Sequence, residues 1–451
     1  MASLLLKNIR HLATMDEDRR ELAGAWILIR DRVIAGLGQA GTAPAAGADR
    51  VLDLSKHVVL PGLVNAHHHM FQSLTRALAQ DCELFDWLAA LYPIWARLRG
   101  EHVYTAAKVA IAELLLSGCT TASDHHYIFP NDVQLEDEIR AAAEMGIRFH
   151  AARGCMSLGE SDGGLPPDSL VERESEILRD TQRLIETWHD PTPQSMLRIV
   201  VAPCSPFSVT VDLMREAARL ARAYGVHLHT HLAENDNDVA YSLARFGVRP
   251  GQYAADLGWL GADVWHAHCV KLNDSEIRQF GRSGAGVCHC PSSNMRLASG
   301  VAPIRKLLDN QVKVGLGVDG SASNDSGHLL GEARQALLLQ RATGDPSVLS
   351  AREALEMATR GGAALLGRDD IGEIAVGMSA DIVAFRLDGL NLAGGLSDPL
   401  AALVFCQPPA VDLSIVNGDV VVEDGNLLTV DLPLLIEKHN ELALQLMRGE
   451  R

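Results

Sequence analysis

Four short strings carry side chains that could do chemistry together: HHH at 67–69, HTHLAE at 229–234, HAH at 266–268, and the aspartate of LGVDG at 319. His67 and His69 are two residues apart. On a strand, successive side chains point to opposite faces, so these two imidazoles face one way and His68 the other. In the second string His229 and His231 compete for one role. Glu234 lies three residues after His231, a spacing that sets a carboxylate beside water held at a strand end, so His231 is the expected ligand and His229 a core residue. In the third, His268 is the outermost. Three neutral imidazoles (His67, His69, His231) with one carboxylate (Asp319) suit Zn2+ or Fe2+ with an open position for water. The chemistry expected is hydrolysis, with Glu234, His268 and Asp319 as the groups that handle protons and charge.

These groups need a scaffold that brings distant segments to one place. From Pro61 to about residue 370, short apolar runs alternate with long amphipathic stretches. LVNAHHH, TTASDHH, IRFHAARG, LRIVVAPCS, VHLHTHLAE, VWHAHCV, GAGVCHCP and VKVGLGVDG read as eight strands. YTAAKVAIAELLLSG, VQLEDEIRAAAEMG and VDLMREAARLARAYG read as helices between them. Eight β-α alternations predict an α/β fold, a (β/α)8 barrel over 61–370, and such barrels carry their reactive groups at the C-terminal ends of the strands. The four strings fall at those ends. Residues 1–60 and 371–451 are strand-rich, with an NGD hairpin turn at 417–419. They predict a small β-sandwich built from both chain ends, with LLIEKHNELALQLMRG as a closing helix.

Absences narrow the reading. The fourth strand string holds no lysine, and between His69 and His231 the one lysine is Lys108, in a helical pattern. A lysine-bridged pair of metals is therefore not expected, and one divalent metal is. The P-C-x-x-C string that the small base deaminases pair with H-x-E does not occur. GLGVDG at 315–320 matches a dinucleotide-binding glycine pattern in form alone, because no βαβ unit opens there. Net charge is −17, from 40 basic and 57 acidic side chains. With no basic patch, neither nucleic acid nor an anionic membrane is an expected partner. The eight cysteines lack the spacing of a disulfide scaffold. No apolar run approaches the roughly 18 residues of a membrane span. No leader is visible, and the expectation is a cytoplasmic protein.

Together, HHHMFQ, HTHLAE, AHCV and GVDGSASND resemble the amidohydrolase superfamily, in its branch of mononuclear deaminases and triazine hydrolases. PGLVNAHHH and GMSADIV extend the resemblance over the whole chain. It implies a metal on His67, His69, His231 and Asp319, zinc ahead of iron. Glu234 would shuttle protons, and His268 would orient the nucleophile or polarise the leaving group. Gln72, three residues after His69, takes the place of a substrate-binding glutamine. Related guanine deaminases carry an arginine on the fourth-strand loop, where this chain reads APCSPF, so Cys204 or Ser205 stands there. That departure implies a purine altered at its imidazole edge. The expected activity is hydrolytic deamination of a small heteroaromatic base by a homo-oligomer. A triazine aminohydrolase, an adenosine-derivative deaminase, a ring-opening amide hydrolase and a metal-free scaffold protein are the rivals. Further candidates come from position alone: Trp95 or Tyr92 as a stacking platform, Arg153 at the end of the third strand, and His125 or His126 at the end of the second. Asn324 and Asp325 are expected to shape a loop, and Cys288 and Cys290 to pack.

Overall fold

Eight short parallel strands close on themselves to form the centre of the molecule. They are β1 (Leu63–Asn65), β2 (Cys119–His126), β3 (Arg148–Cys155), β4 (Leu197–Pro203), β5 (Leu228–Leu232), β6 (Val264–His268), β7 (Gly286–His289) and β8 (Lys313–Leu316), in a computed structural model that describes residues 3–42 and 48–449. Leu316 pairs back to Asn65 and completes the ring. Each strand coincides with one of the eight apolar runs in the sequence. Every residue of β2 and β3 is buried, as expected where helices cover the outside and side chains fill the inside.

The helices that cover the barrel follow local rules. In this part of the chain they are α1 (Leu84–Trp95), α2 (Gly100–Leu116), α3 (Leu135–Met145), α4 (Glu174–Trp188) and α5 (Val211–Tyr224). The Thr210 hydroxyl accepts from the Leu213 amide to open α5, and Gly225, at φ 67°, ends it. Gly146 at φ 75° ends α3 in the same way. Both are left-handed positions where glycine carries no side-chain penalty.

The chain ends meet in two packed sheets. One has four strands, in the order Val33–Gly38, Ala25–Arg30, Ser3–Ile9 and Arg50–Asp53. The other has seven and pairs His57–Pro61 from the N-terminal segment with Ile382–Arg386 from the C-terminal one. Leu6, Ile27, Val59, Ile382 and Ile415 form an apolar layer shared by both sheets, so the two sheets make a sandwich. Asn417 and Gly418, at φ 51° and 91°, form its tight turn, as the NGD string predicts. A buried ion pair ties sandwich to barrel: Arg148, at the start of β3, donates to both carboxylate oxygens of Asp381, at 3.0 and 3.1 Å. The closing helix, Leu432–Arg448, packs on α2. Among the described residues all eight cysteines are unpaired, and no helix is long and apolar enough to cross a membrane.

Candidate active site

At the C-terminal mouth of the barrel, three imidazoles are held so that their free nitrogens converge. His69 Nδ1–H donates to the His125 carbonyl at 2.6 Å, and His231 Nδ1–H donates to the Cys204 carbonyl at 2.7 Å. Burial keeps both rings neutral, with pKa values near 4 for His69 and near 3 for His231. A neutral imidazole has one proton, so each Nε2 presents a lone pair. Those two nitrogens stand 3.1 Å apart. Two lone pairs cannot hydrogen-bond to each other, and this close approach is what a shared cation requires.

His67 completes the group through a relay. His229 Nδ1 lies 3.0 Å from the Trp265 carbonyl, which can only accept, so His229 carries its proton there and accepts at Nε2. The donor is His67 Nδ1–H, at 2.8 Å. His67 Nε2 is thereby left free, buried and without a partner in the protein, 3.2 Å from Asp319 Oδ1, which is also 3.4 Å from His69 Nε2. Three nitrogen lone pairs and a carboxylate oxygen form a donor set that fits a divalent metal, and the orienting partners behind them are those metal sites use. Burial opposes a charge on Asp319, but its close contact with His67 and the neighbouring His268 and His69 rings hold its pKa well below the usual carboxylate range.

Glu234, just beyond β5, and His268, at the end of β6, also face this group. Glu234 Oε2 lies 3.5 Å from His268 Nε2, and Asp319 Oδ2 lies 3.8 Å from it. Burial, reinforced by Asp319 and Asp238, raises Glu234 to about 7, where a carboxyl both takes and gives a proton. Burial disfavours charge on His268, but the Glu234 and Asp319 carboxylates outweigh it and raise its pKa. The Asn294 side-chain oxygen accepts from His268 Nδ1–H at 3.0 Å and sets the ring. Asn294 was not legible from sequence, because it lies after β7 in a stretch with no distinguishing pattern. His268 and Asp319 have φ of 69° and 61°. Left-handed backbone at non-glycine residues is costly, and here it turns both side chains toward the mouth.

A cavity opens over these groups. Gln72 and Cys204 line it, together with Trp87, Tyr92, Tyr127 and Phe207. Gln72 Nε2 donates to the Tyr127 hydroxyl at 3.3 Å, leaving its Oε1 buried without a donor. Gly320 passes so close that a Cβ there would lie 1.8 Å from that oxygen, so only glycine permits this placement of Gln72.

Two of the anticipated pocket residues are elsewhere. Trp95 is fully buried behind the wall, its Nε1–H given to Thr75 Oγ1 at 3.1 Å; Tyr92 and Trp87 of the same helix reach the cavity in its place. Arg153 is on the outward face of β3, paired with Glu172 at 2.6 Å and Asp180 at 3.1 Å and stacked on Phe129. Strand alternation alone puts it there, because it is in register with His126, which also faces outward. His125 faces inward and stacks on His231, with Nε2–H donated to the Ala202 carbonyl at 2.7 Å. Tyr127 was missed, although its i+2 spacing from His125 was a usable signal.

The family model described as "Amidohydrolase family" matches residues 58–421, and the chain belongs to that family. It is a hydrolase. The chain is 48% identical over 442 residues to an 8-oxoguanine deaminase of Pseudomonas aeruginosa, spanning 97% of this chain and 98% of that one. A hydroxydechloroatrazine ethylaminohydrolase of Pseudomonas sp. strain ADP is 37% identical, over 96% and 93% of the two chains. Among solved structures, an atrazine chlorohydrolase from Arthrobacter aurescens complexed with zinc superposes with a TM-score of 0.94 at 35% identity, over 98% of this chain and 100% of that one.

Proposed function

We propose that the chain is a mononuclear metal-dependent aminohydrolase that converts 8-oxoguanine and water to urate and ammonia. In this reading His67, His69, His231 and Asp319 hold one divalent cation, zinc in preference to ferrous iron. The observation that carries the reading is the 3.1 Å approach of two lone-pair nitrogens beneath a pocket that also holds Glu234 and His268. The choice of substrate is supported by the 48% identity to a protein of that activity and by Cys204, a small uncharged group, on the pocket wall. The zinc carried by a structural relative supports the choice of metal.

When bound, the cation supplies Lewis acidity, which makes water a nucleophile at neutral pH. Asp319 takes the proton released as water attacks C2 of the purine. Glu234 delivers a proton to N3, the adjacent ring nitrogen, and the carbon becomes tetrahedral. His268, oriented by Asn294, stabilises the oxygen on that carbon. The proton taken by Asp319 passes to the amino group, the remaining hydroxyl proton on C2 passes to Glu234 as the C2 carbonyl forms, the C2–N bond breaks, and ammonia leaves. Gln72 Oε1 is free to accept a ring N–H, and the Tyr92 hydroxyl, buried and without a partner, faces the same cavity.

We propose further that the chain divides at about residues 60 and 370 into a barrel and a sandwich made from both ends, and that it works as a cytoplasmic homo-oligomer in purine breakdown. Ammonia release across 8-oxoguanine, guanine, isocytosine, cytosine, an adenosine derivative and a hydroxytriazine tests the substrate. Turnover confined to the triazine or the nucleoside refutes 8-oxoguanine and leaves the site assignment standing. Absence of stoichiometric zinc or iron from the purified protein refutes the site.

A further inference from the structure

Behind β2 lies a group of ionisable side chains that the proposed reaction does not use. Asp124, His126 and Glu138 are buried, and one ligand-type atom of each lies within 4.8 Å of the others. Asp124 and His126 share the outward face of β2, and Glu138 comes from the first turn of α3. Asp124 Oδ1 accepts the backbone N–H of Met70, the residue after His69, at 2.7 Å. The next residue, His125, accepts from the His69 ring through its carbonyl at 2.6 Å. On the other side, Asp319–Gly320 pairs with His68–His69 as a two-residue ladder. The segment that carries His69 is thus strapped between two strand ends, and Asp124 is one of the straps.

A carboxylate oxygen of Asp124 and one of Glu138 lie within 4.8 Å of each other in this group, although two carboxylates have only acceptors to offer. Asp124 Oδ2 and both Glu138 oxygens have no well-aligned hydrogen-bond donor, although His126 Nδ1 lies 2.9 Å from Glu138 Oε1. Facing carboxylates in dry surroundings do not both ionise, because repulsion and desolvation act together. Burial, then Glu138, pushes Asp124 well above the usual carboxylate range, and burial pushes Glu138 up to about 8.

We infer that Asp124 and Glu138 share one proton, and that this carboxyl–carboxylate pair clamps the His69–Met70 backbone and so positions His69 toward the cation. Asp124 is a positioning residue here, since it touches neither substrate nor metal donor atoms. The consequence for metal rests on the ligand assignment proposed above; the shared proton does not.

Asp124→Asn and Glu138→Gln each replace the shared proton with an amide N–H, and the side chain introduced by Asp124→Asn keeps an oxygen for the Met70 amide. Asp124→Ala removes both. The readout is the zinc dissociation constant, from chelator competition with the metal-free full chain, alongside kcat and KM of the loaded enzyme. The two amide variants should stay within about threefold of wild type, while Asp124→Ala weakens zinc binding by roughly 10–100-fold, as loss of a ligand-orienting partner does. Wild-type affinity in folded Asp124→Ala overturns the clamp. A wild type that binds no zinc overturns the ligand assignment, a different failure. A second equivalent of zinc that Asp124→Asn loses overturns the shared proton in favour of a cation.

Where Asp124→Ala does not fold, infrared difference spectroscopy decides. The wild type should show a buried protonated-carboxyl C=O band that the double variant Asp124→Asn/Glu138→Gln lacks. No difference between the two overturns the proposal.

Discussion

Replacing His229 by leucine tests the relay behind His67 directly. His229 touches no position that substrate or metal would occupy. Its Nε2 accepts from His67 Nδ1–H at 2.8 Å, and its Nδ1 donates to the Trp265 carbonyl at 3.0 Å. Leucine leaves the His67 N–H buried without an acceptor, because His67 is wholly inaccessible to solvent. An orphaned buried donor costs about 1–3 kcal/mol. His67 escapes that cost by moving its proton to Nε2 or by rotating, and either change withdraws the lone pair from the cation. At 1.4 kcal/mol per decade the expected loss of zinc affinity is about 5- to 150-fold.

Glutamine at 229 controls for packing. It also loses the ring stacked 4.5 Å from Trp265, but its side-chain oxygen reaches the place of Nε2. Equilibrium dialysis against buffered zinc should give His229→Gln an affinity within about threefold of wild type and His229→Leu the full loss. If leucine and glutamine bind zinc equally well, or equally badly, the hydrogen bond is not what positions His67 and the reasoning fails.

Three further outcomes are expected. Glu234→Gln should lower kcat by about 10²–10⁴ with zinc content unchanged, since an amide cannot relay a proton; turnover within tenfold of wild type would remove Glu234 from its role. Arg148→Met leaves the Asp381 carboxylate buried without its guanidinium, which should cost about 3–5 kcal/mol in urea unfolding; a loss under about 1 kcal/mol would show that the pair contributes little. Burial opposes ionisation of Asp370, but its pair with Arg368 at 2.7 Å overrides that and depresses its folded pKa. A depressed carboxylate stabilises the fold above its unfolded pKa, and that contribution is lost as pH falls from about 5 toward the folded value. Asp370→Asn should therefore flatten the acid limb of a melting-temperature profile, and an unchanged slope would show that other groups control it.

Much of the barrel was legible because parallel strands buried on both faces read as apolar runs, whatever packs around them. The ends of those runs marked the mouth, so His67, His69, His231, His268 and Asp319 could be placed by counting outward. Parity also separated His67 and His69 from His68. The same parity rule, applied to Arg153, would have turned it outward. Ala152, level with His125, faces the barrel interior, so alternation along β3 turns Arg153, level with His126, outward. Trp95 failed for another reason, since helical spacing puts Trp87, Tyr92 and Trp95 on one apolar face without saying which turn of it meets the cavity.

By itself the sequence determined which residue types were available, their order at the strand ends, and the absence of a lysine on the fourth strand. Those properties are local, and alternation and periodicity encode them. Tertiary structure decided which nitrogen of each imidazole is free. His229 takes its tautomer from the Trp265 carbonyl and passes it to His67, His231 takes its own from the Cys204 carbonyl, and Asp124 reaches Met70 from 54 residues away in the chain. A lone pair is directed by whatever accepts the proton on the ring's other side. Here each acceptor comes from a strand that becomes a neighbour only when the barrel closes.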